Sequence, residues 1–474
     1  MVFSSGSFLF LFLPFLLTVY FLIPQRHRET RNMVLLIFSL VFYSYGGWRL
    51  LPIILTSILL NYFFGRLVAP SRRTTLRKRA LVLGVICNLG LLFWFKYVGF
   101  FSATLHGVLH SMPIVEVVLP IGISFYTFQG ISYVVDVYRG QAPAEKNLLR
   151  VALYIAMFPQ LLAGPIVRYN TIAREIQVRR ETLEDFYGGA IRFLFGLAKK
   201  MLLANQMAVI ANAAFSAAPG ELTAGLAWLG VIAYTAQIYF DFSGYSDMVL
   251  GLGRMFGFHL LENFNYPYIS KSITEFWRRW HISLSTWFRD YLYIPLGGNR
   301  VSMGGQIRNL LIVWGLTGFW HGAAWNFLLW GLFYALLLMG ERYLWGEAVS
   351  RLPRPLQHIY ALFCIMMGWL IFRAEGLAQI GFYLEALFGL GTAGAWSGQV
   401  TYLILQFRWE LILAVVASLP LRDKVKGYLE ARQHRLVPAL LLCWGVPVLA
   451  GVLGLLSGLQ LLSSSFNPFI YFQF

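Results

Sequence analysis

The sequence predicts an all-α polytopic membrane protein, and three observations carry that prediction. Of 474 residues, 58% are hydrophobic and only 12% are charged, about half the charged share of a soluble domain. The apolar residues gather in runs of helical length, and one span needs about 20 of them. Short clusters of Lys and Arg separate these runs and account for the net charge of +17, a pattern of topology signals and lipid-headgroup contacts. A nucleic-acid partner would call for one basic polar domain, which is absent from the pattern. Cys87, Cys364 and Cys443 lie far apart without CxxC or Cys/His spacing, which argues against a disulfide framework and against a metal site.

Taken in order, the first run, 7–23, has no Lys or Arg before it and no small-residue cleavage site after it. It reads as an uncleaved first span. Further runs lie near 33–48, 50–68, 80–101, 117–137, 148–166, 186–215, 224–258, 309–340, 357–372, 378–392, 402–419 and 436–461. Several are short for a span and two are long, so tilted, re-entrant and interfacial helices are expected; Trp228 to Phe240 and Trp325 to Met339 look spanning. Re-entrant backbone needs protein or a cavity around it. The expected architecture is therefore about 11 to 13 spanning or re-entrant helices around a central crevice. No linker or repeat divides the chain. It reads as one integral-membrane domain, 1–474, with N-terminal spans in 1–137, a core in 148–340 that includes an interfacial segment 259–308, and C-terminal helices in 357–474.

Orientation follows from the basic residues. Segments 24–32, 66–79 and 139–150 hold twelve Lys and Arg, whereas 46–49 and 102–116 hold only Arg49. The positive-inside rule puts the first three in the cytoplasm and the N-terminus outside. The cluster Arg422, Lys424, Lys426, Arg432 and Arg435 also belongs inside, which leaves Phe474 outside and Arg342, Arg351 and Arg354 on the outer side.

The interfacial segment mixes Trp277, Trp280, Trp287, Tyr291 and Tyr293 with Lys271, Arg278, Arg279, Arg289, Arg300 and Arg308, a composition suited to headgroup depth. On a continuous helix, Arg278, Ile282, Ser285 and Arg289 share one face, and Trp277, His281, Leu284 and Phe288 another. An ordinary interfacial helix with a solvated basic face explains these residue types equally well. LGGN at 296–299 is a turn, without nucleotide-loop spacing.

The next run contains His321 in GFWHGAAWNFLLWG. An ionisable side chain at membrane depth is costly unless it faces a cavity or a partner. Gly318 and Gly322 form a small-xxx-small pair, so one reading is a packing motif with a hydrogen-bonded core histidine. The other is a general base: imidazole titrates nearest neutrality and suits taking a proton from a hydroxyl. A second polar island, QIYFDFSGYSD at 237–247, places Asp241 four residues from Tyr245 and Ser243 four from Asp247, local pairs on one helical face. The two carboxylates, six apart, point in opposed directions. A structural role is at least as consistent with them as direct chemistry. HxxxxD, GxSxG and HExxH do not occur, which removes the usual soluble acyltransferase, serine-hydrolase and zincin patterns.

WRRWHISLSTWFRDYLYIPLGGNR at 277–300, followed by GFWHGAAWNFLLWG at 318–331, closely resembles the membrane-bound O-acyltransferase family. MVFSSGSFLFLFLPFLL at the N-terminus, FPQLLAGPIVRY at 158–169, DFSGYSD at 241–247 and the terminal FNPFIYFQF are similar to its bacterial alginate O-acetyltransferase branch. The resemblance implies a central tunnel through a thinned part of the bacterial inner membrane. It implies transfer of an acetyl or other acyl group from a cytoplasmic thioester, acetyl-CoA or an acyl carrier protein, with no permanently bound cofactor. The acceptor it implies is an exported polysaccharide, alginate-like, reached directly or through a periplasmic or extracellular acetyltransferase partner; relatives acting on peptidoglycan, cellulose or teichoic acid share the motifs. By the same resemblance His321 is the catalytic residue and His281 a second polar residue of the site.

Acyl transfer to a hydroxyl needs a base, a donor for the developing oxyanion and a site that holds both substrates. His321 fits the base, and His281 fits acceptor orientation or oxyanion stabilisation. With no Ser or Cys elbow, direct transfer in a ternary complex is expected. Asp241, Tyr245, Asp247, Trp280, Ser285 and Asn326 are candidate tunnel or structural polar residues, and Arg278, Arg279 and Arg289 candidate contacts for donor phosphates. Two other classes stay open: a proton-coupled transporter or flippase using the same His and Asp, and a non-catalytic scaffold of a secretion complex.

Overall fold

A computed structural model describes residues 1–218, 220–463 and 470, and among these every regular element is helical. Among the described residues, five helices are long and apolar enough to cross a membrane: Trp48–Leu67, Thr74–Val108, Leu183–Phe215, Arg354–Arg373 and Leu436–Ser463. The pair Gly398–Gln406 and Arg408–Ala417, bent by 63°, would make a sixth. The chain is thus an all-α, multi-pass membrane protein. The stretches Trp228 to Phe240 and Trp325 to Met339, read from the sequence as spanning, lie within helices Ala224–Met255 and Trp325–Tyr343, which fall outside this set. Two compact units are formed, Met1–Phe193 with Met248–Glu262, and Leu194–Asp247 with Asn263–Phe474.

In the first unit, Leu51–Leu67 and Thr74–Leu92 exchange hydrogen bonds between the buried amides of Asn61 and Asn88, 3.1 and 3.0 Å. Mutual pairing is how amides become tolerable among apolar helices. Helix Ile123–Arg139 packs close by because Gly130 has no side chain to meet Asn61. Glu181 is buried among Arg28, Arg31 and Tyr20. Its burial opposes ionisation, but the hydrogen bonds from Arg28 and Tyr20 outweigh it and hold the carboxyl below its ordinary range.

The second unit is built on an aromatic core. Trp280, Trp330 and Trp369 are fully buried side chains there, with Phe276, Tyr334 and Phe372 around them. The apolar run 309–340 breaks at Gly322–Ala324 into a hairpin of helices, Met303–His321 and Trp325–Tyr343. The break is local: Gly322 and Ala324 are extended, at φ −164° and −153°. Ser302 caps the first arm by accepting from the Gly305 N–H. The arms touch backbone to backbone at Gly318 and Gly331, where an added Cβ on either residue would lie 3.2 Å from the Cα of the other.

The interfacial segment departs from the continuous helix expected over 277–289. Two short helices form instead, Ile273–Arg279 and Ile282–Phe288, separated by an extended Trp280 and a left-handed His281 at φ 44°, ψ 54°. Arg278 and Arg289 therefore do not share a helical face, nor do Trp277 and His281. Backbone groups freed by the break are satisfied by the preceding loop: the Asn265 N–H donates to the Arg279 carbonyl (2.9 Å) and the Ile282 N–H to the Asn263 carbonyl (3.0 Å). A paired loop makes the break affordable where two orphaned groups would not be.

Candidate active site

His321 is the last residue of the first hairpin arm, so the helix end fixes where its side chain begins. Three rings enclose the imidazole edge to face: Trp320 and Trp330 at 5.0 Å between centroids and Phe372 at 5.3 Å. His321 is buried, and Gly322 next to it has no room for a side chain beside the Phe327 ring. Asn326 is a structural anchor: its amide donates to the carbonyl of Ala374 (3.0 Å) at the end of Arg354–Arg373 and lies 3.4 Å from that of Phe372. Those bonds hold Phe372 against His321.

His281 is wholly buried, which corrects the wetter setting that an interfacial helix would give it. Phe242 meets its ring at 4.7 Å and 86°, and Trp320 at 6.1 Å. The two histidines thus pack against the same indole, that of Trp320. Burial pushes the His281 imidazole down to about 3, so the ring is neutral across the physiological range. His281 and Tyr266 are the non-glycine residues at positive φ among the described residues. Such backbone costs about 1 to 3 kcal/mol and persists where the surroundings over-determine it.

The other sequence candidates divide by what holds them. Trp280 is core, tilted on Trp369 at 4.7 Å and edge-on to Phe264 at 5.0 Å. Ser285 is half-buried one turn after His281, its N–H donating to the His281 carbonyl (3.1 Å). Asp241 and Asp247 find cations on an adjacent helical stretch: Lys200 Nζ is 2.6 Å from Asp241 in a pair almost fully buried, and Lys199 Nζ is 2.7 Å from Asp247. Asp241 also accepts the Ile470 backbone N–H (2.8 Å). The rest of the terminal motif, 466–469 and 471–474, lies outside the described residues. Tyr245 is buried on the same helix. Arg279 is paired with Glu275 (2.9 Å) and Arg289 with Asp290 (2.7 Å), whereas Arg278 is exposed without an ion pair among the described residues.

Lys199, Lys200 and Asn263, like the rings around the histidines, had not been singled out from the sequence. For the lysines the signal was present, as two cations interrupt the apolar run LFGLAKKMLL and a cation at such a position calls for an acidic partner. Asn263 carried none beyond a polar turn. Among the described residues no group of three or more His, Cys, Asp or Glu is placed to hold a metal ion.

Residues 143–372 match the sequence profile of the MBOAT, membrane-bound O-acyltransferase, family. The chain is 42% identical, over 100% of both chains, to "Probable alginate O-acetylase AlgI" of Azotobacter vinelandii. To the protein of that name from Pseudomonas aeruginosa it is 47% identical over 83% of this chain and 76% of the relative. It is also similar to the "Peptidoglycan O-acetyltransferase" of Helicobacter pylori, at 34% identity over 82% and 80%.

Proposed function

The chain belongs to the membrane-bound O-acyltransferase family and is an acyltransferase, and from that premise we propose that it moves an acetyl group from a cytoplasmic thioester to an exported, alginate-like polysaccharide. The donor is coenzyme A or an acyl carrier, the route is a tunnel through the membrane-embedded helices, and the recipient is the polymer or a periplasmic acetyltransferase partner. The substrate class rests on relatives that carry the alginate O-acetylase name over their full length. The protein sits in a bacterial inner membrane with both termini outside, a reading that rests on the basic-residue asymmetry.

One observation carries the chemistry: two buried imidazoles packed against one indole, that of Trp320. The acceptor hydroxyl oxygen attacks the thioester carbonyl carbon; the O–C bond forms as the C–S bond breaks. His321 takes the hydroxyl proton and returns it to the departing thiolate, which leaves as a thiol. At the end of a 19-residue helix, the negative pole of the helix dipole favours the positive charge that the imidazole carries in between. The rings exclude water, which protects the thioester from hydrolysis and strengthens polar interactions inside.

Purified protein in detergent, given labelled acetyl-CoA and candidate acceptors, is expected to release free CoA and transfer label. His321→Ala should abolish both while leaving expression and insertion intact, since the change removes a polar group from an apolar neighbourhood. Near-normal turnover by that variant would remove the base assignment. A transporter or scaffold would release no CoA at all.

A further inference from the structure

We propose that Asn263 is a positioning residue that fixes His281 as its Nδ1–H tautomer and leaves the Nε2 lone pair as a hydrogen-bond acceptor for bound substrate. The inference rests on the reading of His281 as part of the acyltransferase site. It begins with an atom that has only one possible role. The backbone N–H of Ser283 can only donate, and the Asn263 side-chain atom 3.1 Å from it is therefore the carbonyl oxygen Oδ1, not the amide nitrogen. Ser283 Oγ donates to the same oxygen at 2.9 Å. Turning the amide over would set Nδ2 against a backbone donor.

That same Oδ1 is 3.2 Å from His281 Nδ1. A carbonyl oxygen accepts and never donates, so the proton of the neutral ring is on Nδ1 and Nε2 is left with its lone pair. The geometry has little freedom. Asn263 is buried, its own carbonyl is tied to the Ile282 N–H, and the imidazole is pinned by Phe242 and Trp320. Nε2 itself is buried and has no hydrogen-bond partner among the described residues. A buried acceptor left open in this way points to a ligand that donates, through an O–H or an N–H. His281 then orients substrate and cannot be the donor that steadies a developing oxyanion, one of the two roles its position in the sequence suggested.

Full-length protein labelled with [15N]histidine, in lipid vesicles, tests this by solid-state NMR, the His281 signals being assigned by difference from His281→Gln. Wild type should show a protonated, pyrrole-type Nδ1 and an unprotonated, pyridine-type Nε2. Asn263→Leu, which removes the acceptor at similar volume, should yield a mixture of tautomers and lower kcat by about 10²-fold with KM for the donor unchanged. Asn263→Asp, which keeps an oxygen facing Nδ1, should retain the tautomer and restore most of the turnover. An Nε2–H tautomer in wild type overturns the proposal, and that result needs no variant to fold. A wild-type tautomer and wild-type kcat in Asn263→Leu overturn it as well. Full activity of His281→Gln would instead remove His281 from the site, whatever its tautomer.

Discussion

Gly331→Ala is the sharpest test of how the hairpin holds His321. An added Cβ would lie 3.1 Å from the Trp314 carbonyl carbon, 3.2 Å from the Gly318 Cα and closer still to the Trp314 carbonyl oxygen. Carbon pairs rest at about 3.5 to 4.0 Å, and every atom met here is backbone, so no rotamer change gives relief. The carbonyl oxygen sets the limit, and the arms must separate by about 1 Å, the kind of overpacking that costs about 1 to 3 kcal/mol. Against this, alanine improves on glycine in a helix by about 0.8 to 1 kcal/mol. The net expectation is a loss of up to about 2 kcal/mol, read as a lower Tm in detergent. Turnover should fall much further, by about 10²-fold, because separation at Gly318 displaces His321 one turn along the same arm. Gly315→Ala is the control: its Cβ would meet only a Leu328 methyl at 3.9 Å, so helix propensity should prevail and neither Tm nor turnover should drop. A Gly331→Ala enzyme with unchanged turnover would refute the claim that backbone contact at this point positions the histidine.

Four further outcomes are expected. Lys200→Met strands the buried Asp241 carboxylate, which should cost about 3 to 5 kcal/mol of stability, and adding Asp241→Leu should recover part of the lost Tm. Asn326→Leu leaves the Phe372 and Ala374 carbonyls without their amide donor; a loss of about 1 to 3 kcal/mol together with reduced turnover is expected, and a drop in Tm alone would dissociate Phe372 from catalysis. His281, neutral when folded but free to protonate when unfolded, makes the unfolded chain bind more protons as pH falls. Its contribution is complete above the unfolded value of about 6.5 and is lost below it by about 1.4 kcal/mol per pH unit, so thermal melts between pH 7 and 5 should fall more steeply for wild type than for His281→Gln. Cysteines placed in 66–79 and 139–150 should resist labelling by impermeant reagents in intact cells; labelling of either segment would reverse the proposed orientation.

Much of the fold class was legible because lipid imposes it: scarce charge and long apolar runs leave few alternatives to helices. His321 was legible for the same reason, as a polar residue conspicuous by its surroundings. The break at 280–281 was not. Periodicity across 277–289 satisfies a helix, and nothing in the residue types announces that Trp280 turns extended and His281 left-handed; the loop at 263–265, some fifteen residues earlier in the chain, supplies the hydrogen bonds that make the break tolerable. The lysine partners of the carboxylates were hidden in a related way. Tyr245 and Ser243 are the nearest groups by helical spacing, whereas Lys199 and Lys200, which pair with Asp247 and Asp241, come from about forty residues upstream and lie beyond any local spacing.

The break also explains why two histidines of similar appearance in the sequence are held in different ways. A histidine in the middle of a helix takes its direction from the helix axis. One at φ 44° takes it from whatever pins the loop, and here that is a single asparagine oxygen flanked by a serine N–H and hydroxyl. His321 is instead placed by a helix end and held by rings that offer it packing on three sides. The first arrangement specifies a tautomer, because its partner can only accept. The second surrounds the ring with three aromatic faces, the setting in which we propose that it takes and returns a proton. With an amide oxygen rather than a carboxylate on its Nδ1, the buried His281 stays neutral at rest.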